Sequence, residues 1–242
     1  MYPDYNNPYQ NGYMSRPDEA RLANTVSSTM KRVYLKMTLA LVVTAFTTLF
    51  CAIPDGAYAT FLRSHTWFTW VIVAAELGIV FSLSGAVRKM SSVTATLLFY
   101  VFAVLNGMML CTIFWAYSTA AIVKTFFITA GTFGAMSIYG YCTNRDLSKV
   151  GSFLFMALIG LIIASVVNIF LRSTGLDWII SIAGVAIFVG LTAWDTQQVK
   201  TMAALAPAES AGRLATLGAL TLYLDFINLF LFLLRIFGGN RD

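Results

Sequence analysis

A carboxyl group inside a long apolar helix can take up a proton, hold a cation by its oxygens, or hydrogen-bond a neighbour. Three acids of this chain stand in such stretches. Glu76 lies in Val73-Ala-Ala-Glu76-Leu-Gly, Asp195 in Leu191-Thr-Ala-Trp-Asp195-Thr-Gln-Gln198, and Asp225 in Leu222-Tyr-Leu-Asp225-Phe-Ile-Asn228. A charge at the centre of a bilayer costs about 2.5–3.5 kcal/mol on insertion scales, so each acid must face protein or water, find a partner, or become neutral. Helical spacing puts Thr221, Asp225 and Asn228 on one face, Asp195 with Gln198 on another, and Ser165 with Asn168 on a third. The simplest packing points these stripes at a common interior. Asp195 and Asp225 are then expected to meet across the sixth and seventh helices. Two close carboxylates in a low dielectric cannot both ionise cheaply, so they share a proton and titrate in coupled steps, as a pH-dependent element within a cation path.

Asp195, Glu76 and Arg88 each have a plainer reading beside the functional one. Asp195 can be a helix-end carboxylate near the cytoplasmic surface, followed as it is by Thr-Gln-Gln-Val-Lys. Glu76 can be a neutral, hydrogen-bonded structural acid. Arg88 can anchor the second span at the cytoplasmic surface, or reach back to a carboxylate as a gate partner.

The elements that must position these groups follow from composition. Of 242 residues, 58% are hydrophobic and 11% charged. A soluble domain carries about 25% charged residues. This chain cannot cover a soluble surface, and it reads as an all-α integral membrane protein. A bilayer needs about 20 apolar residues per helix. Seven stretches approach that length, at 33–53, 67–86, 93–115, 119–141, 151–171, 178–198 and 214–236. The break near Trp115–Thr119 carries no charge and rests on Tyr117, Ser118 and Thr119 in sequence. Residues 1–25, rich in Tyr, Asn and Pro, read as a flexible cytoplasmic tail without the basic start and apolar middle of a signal peptide. Residues 26–242 form the seven-helix domain.

The net charge of +5 comes from 16 basic and 11 acidic residues. With the amino terminus in the cytoplasm, eleven of those sixteen, Lys31, Arg32, Arg88, Lys89, Arg145 and Lys200 among them, fall on the cytoplasmic side. This predicts an external carboxyl terminus and explains the basic excess without nucleic acid. Cys51, Cys111 and Cys142 are scattered, and with His65 as the only histidine no tight metal site is expected. The other partners expected are the lipid bilayer, calcium and protons.

Three stretches resemble the bacterial inner-membrane branch of the Bax inhibitor-1 family, also called the transmembrane Bax inhibitor motif family. They are Phe188-Val-Gly-Leu-Thr-Ala-Trp-Asp195-Thr-Gln197, Leu217-Gly-Ala-Leu-Thr-Leu-Tyr-Leu-Asp225-Phe-Ile-Asn-Leu-Phe, and Gly134-Ala-Met-Ser-Ile-Tyr-Gly-Tyr141 followed by Thr143-Asn-Arg-Asp-Leu. Trp194 stands where a Tyr is common. The resemblance implies a seven-helix bundle with the last helix central. It also implies a pH-sensitive calcium leak in which Asp195 and Asp225 form the proton-sensing pair, and an arginine near the end of the second helix, Arg88 here, that closes the path.

The favoured function is therefore a cation leak pathway, with calcium as the candidate permeant ion held only transiently and no cofactor. A non-catalytic partner that modulates other membrane proteins and a proton-coupled transporter are the alternatives. An intramembrane protease is disfavoured. Ser82-Leu-Ser84-Gly85 only loosely resembles a serine motif, and His65 lies in the connection before the second span.

Overall fold

The computed structural model describes residues 16–53, 56–207 and 210–239. Their regular structure is helical, with no strand among them. The helices are α1 (Arg16–Cys51), α2 (Ala57–Ser64), α3 (Trp67–Ala86), α4 (Ser92–Leu110), α5 (Ile113–Ala116), α6 (Thr119–Cys142), α7 (Ser148–Leu171), α8 (Thr174–Leu205) and α9 (Ala211–Phe237), with a 3-10 turn at Val87–Lys89. Seven segments are long and apolar enough to cross a membrane, α4 and α5 together making the third. In hydrocarbon every backbone group must be satisfied within the protein, and helices do this locally.

Two helices run beyond their apolar stretches. Residues 16–25 belong to α1, so the expected tail through residue 25 extends too far. Residues 1–15 lie outside the described residues. α8 continues to Leu205, seven residues past the expected limit. The uncharged break after the third span is real. Ser118 caps α6 by accepting a hydrogen bond from the Ala121 N–H at 3.2 Å, as Ser91 caps α4 and Ser173 caps α8.

α9 is the axis of the bundle. Two thirds of its apolar span, 67%, is buried, against 6% for α7 and 11% for α3. It packs on α8, α1, α6 and α4, whereas α7 leans chiefly on α8 and α3 on α4. The central position implied by the resemblance is therefore what the packing gives. Close approach of α6 to α8 depends on Gly140, where a Cβ would strike the Ala193 backbone. Small residues permit such approach between membrane helices.

Candidate functional site

Asp195 projects from α8 and Asp225 from α9, the most extensively paired helices of the bundle. Their carboxyl groups lie within side-chain hydrogen-bond reach of each other. The extension of α8 to Leu205 sets Asp195 ten residues inside its helix end. The plainer reading of Asp195 as a helix-end carboxylate therefore does not describe its position. Asp225 is buried, 4% exposed, and its Oδ2 has no donor among the described residues.

The pair opens onto a cavity of about 590 Å³ between α7, α8 and α9. Its polar lining is Ser165, Trp194, Asp195, Thr221, Asp225 and Asn228, and the rest is Leu, Ile, Val and Phe. Three of those polar groups bond to their own helices. Ser165 donates to the Leu161 carbonyl at 2.8 Å, Thr221 to Leu217 at 3.2 Å, and the Asn228 amide to Leu224 at 2.8 Å. The Trp194 indole N–H is buried without an acceptor, its ring seated against α7 where Gly151 leaves room. Among its fully buried side-chain atoms the lining thus has one unanswered donor, on Trp194, and one unanswered acceptor, on Asp225.

A carboxylate accepts hydrogen bonds and cannot donate them, so a bond between two carboxyls requires one proton. The arrangement can hold that proton between two oxygens or, with both groups ionised, offer the oxygens to a cation. Calcium prefers six to eight oxygen ligands. The described residues contain no cluster of three or more acidic, Cys or His side chains able to hold a metal.

The other expected site residues separate. Asn228 and Thr221 line the cavity; Gln198 does not. Its neighbour Gln197 was missed and has a clear structural task. Gln197 accepts from the Leu147 N–H at 2.9 Å and donates to the Arg145 carbonyl at 2.8 Å, bracing the connection between α6 and α7. Asn168 does not join the interior stripe. Its side-chain oxygen accepts from the Ser173 N–H at 3.1 Å and finishes the α7 end. Glu76 sits on α3 with the Asn106 amide 3.4 Å away, on α4 rather than beside the pair. Arg88 falls in the 3-10 turn, and its side chain lies outside the described residues. His65 bonds Ser64 at 2.9 Å and stands before α3, while Ser84 is near the other end of that helix, about 26 Å along it.

The sequence comparisons agree with this architecture. The family described as "Inhibitor of apoptosis-promoting Bax1" matches residues 26–242. The inner membrane protein YbhL of Escherichia coli K12 is 47% identical over 215 residues, covering 88% of this chain and 92% of its own. An uncharacterised protein of Rickettsia prowazekii is 45% identical over 214 residues, covering 88% and 90%. One from Borreliella burgdorferi is 49% identical over 184 residues, covering 75% and 78%.

Proposed function

The chain belongs to the Bax inhibitor family, and on that footing we propose that it is a pH-sensitive leak pathway for cations, calcium foremost, gated by a proton shared between Asp195 and Asp225. The observation that carries this reading is the contact of the two carboxyl groups in a part of the bundle that leaves one oxygen unanswered. Such a pair has two chemically distinct states, one proton apart. Holding one proton, it is a singly negative bridge between α8 and α9. Ionised, it is a doubly negative site that must open or recruit a cation. The small number of ligands suits passage rather than storage.

The membrane is a bacterial inner membrane, in keeping with the name of the Escherichia coli relative. The amino terminus is cytoplasmic and the carboxyl terminus external, as the distribution of Lys and Arg favours. The chain performs no covalent chemistry on a substrate.

The test is calcium flux in liposomes across a pH series. Asp195→Asn and Asp225→Asn are each expected to abolish the pH dependence, because an amide cannot exchange the proton. Flux with an unaltered pH profile in both variants would refute the gating role. Flux that runs only with a proton gradient would make the protein a transporter. Absence of flux in the wild type, with specific co-purification of another membrane protein, would favour the modulator reading.

A further inference from the structure

The axial helix leaves one stripe half-open, and that stripe runs past the aspartate pair. Leu217, Thr221, Leu224, Asn228 and Leu231 follow one another at helical spacing and are half-buried, while every other residue from Ala215 to Phe230 is buried. Thr221, Leu224 and Asn228 line the cavity that also takes in Asp195 and Asp225. α7 makes the opposite wall, yet it packs chiefly on α8 and not on α9. Phe155, Ile162, Val166 and Ile169 along that wall are exposed. The cavity is therefore a cleft between α7 and α9, floored by α8 and open along the side of the bundle. Both walls are long, apolar spans, so the opening faces lipid chains rather than water.

The lining suits a hydrophobic body with one positive end. Most of it is apolar and aromatic, with Phe188 and Phe232 stacked at 5.8 Å between ring centroids. Sites for organic molecules span about 300–1,000 Å³, and the 590 Å³ of the cleft falls within that range. The polar groups turn oxygen to it. Ser165, Thr221 and Asn228 give protons to carbonyls of their own helices and keep their oxygen lone pairs. The unanswered Trp194 N–H packs against Gly151, which is not part of the lining. No Lys or Arg lines the cleft among the described residues. Arg235 stands beyond Asp225, about 15 Å along α9, and pairs with Asp177 at 3.7 Å. Of the two acids Asp195 is half-buried and Asp225 buried, so Asp195 is the one that an entering group meets. Holding one proton, the pair carries one negative charge, and a single ammonium group cancels it.

We infer that this cleft is a lateral binding site for lipophilic monovalent organic cations, entered from the lipid, with the ammonium group on Asp195 and the hydrophobic body along α7. The inference rests on the reading of the pair as an ionisable unit, and not on which ion the protein passes. The ammonium N–H donates to the Asp195 carboxylate, and Thr221 and Asn228 offer further acceptors. Bound there, the organic cation takes the place that a permeant cation needs and closes the leak.

The test is calorimetric titration of the full chain in lipid nanodiscs at neutral pH, with the heat of empty nanodiscs subtracted. The probes are phenylbutylamine, a cation, and phenylbutanol, its uncharged counterpart. The amine is expected to bind saturably and about tenfold more tightly than the alcohol, the factor that one hydrogen bond to a charged group supplies. Asp195→Asn should remove that preference. Asp225→Asn, which leaves the accessible carboxylate in place, should keep it. Ile162→Trp fills the mouth of the cleft from an exposed position on α7 and should weaken both probes alike. Equal binding of amine and alcohol would make the cleft a groove for lipid chains and overturn the inference. A preference that survives Asp195→Asn, or binding that Ile162→Trp leaves unchanged, overturns it as well. If Asp195→Asn does not fold, the two probes and Ile162→Trp decide the matter. Amine binding by a protein without calcium flux would uphold the site and refute the leak, whereas pH-dependent flux without amine binding would refute only the site.

Discussion

Lys36 reaches α9 from α1, Asp225 projects from α9 toward α8, and the surroundings of the two side chains are opposite in kind. Lys36 is complete. Its ammonium group has three protons and finds three acceptors: Thr96 Oγ1 at 2.8 Å, Thr216 Oγ1 at 2.6 Å and the Gly212 carbonyl at 3.2 Å. That arrangement ties α1, α4 and α9 together near one end of the bundle. Asp225 is incomplete. It has another acid for a neighbour and a buried oxygen without a donor. An unanswered polar group costs about 1–3 kcal/mol. A fold that satisfies one charge so fully and leaves the other unfinished has used the first as a fastening. The second is free to change state.

The contrast can be broken most forcefully at its complete end. Lys36→Met removes all three bonds and the charge, and is expected to cost about 3 kcal/mol of stability. Chemical denaturation in detergent measures it; a variant as stable as wild type would show that Lys36 fastens nothing. Next in size is Gly140→Ala, whose Cβ meets the Ala193 backbone and pushes α8 from α6. A loss of about 2 kcal/mol is expected, together with a displaced Asp195 and an altered pH profile of flux, while the Lys36 corner stays intact. Asp225→Asn should go the other way. An amide can donate to Asp195 without a shared proton, so stability at neutral pH should rise by about 1 kcal/mol while pH-dependent flux is lost. A clear fall in its melting temperature would mean the pair is structural.

The smallest effect lies outside the membrane. The Ser148 hydroxyl and backbone N–H hold the Asp146 carboxyl below the usual carboxylate range, the backbone bond being 2.9 Å. A carboxylate stabilised in the folded state contributes at neutral pH and loses that contribution as pH falls through its lowered pKa. Asp146→Asn should therefore flatten only the acid edge of the stability profile, and slightly, because the group is exposed.

The apolar stretches made seven spans legible, since insertion energetics acts directly on composition. They could not mark where α1 and α8 continue outside the lipid, because helix propensity there no longer depends on apolar length. Face arithmetic placed Thr221, Asp225 and Asn228 together correctly on one helix. It failed for Asn168, which a helix end claims, and for Gln198, because the neighbouring Gln197 answers backbone groups fifty residues away. Glu76 shows the same boundary. Its place in an apolar stretch announced a constraint, but only packing could reveal that its neighbour is Asn106 on α4 rather than an aspartate. Partners across helices are set by tertiary packing, and no spacing within one helix encodes them.

The axial position of α9 has a consequence for how the protein is made. α9 is the seventh span, so α1 through α8 leave the ribosome before the helix they surround exists. Until it inserts, Lys36, Thr44 and Asp195 lack their partners at Thr216, Tyr223 and Asp225. The early helices must wait in the lipid as loosely associated pairs, such as α1 with α4 and α7 with α8. Assembly then closes in one late step around the newest segment. A ribosome stalled before α9 would leave a chain with most of its crossings and no core, a ready substrate for membrane quality control.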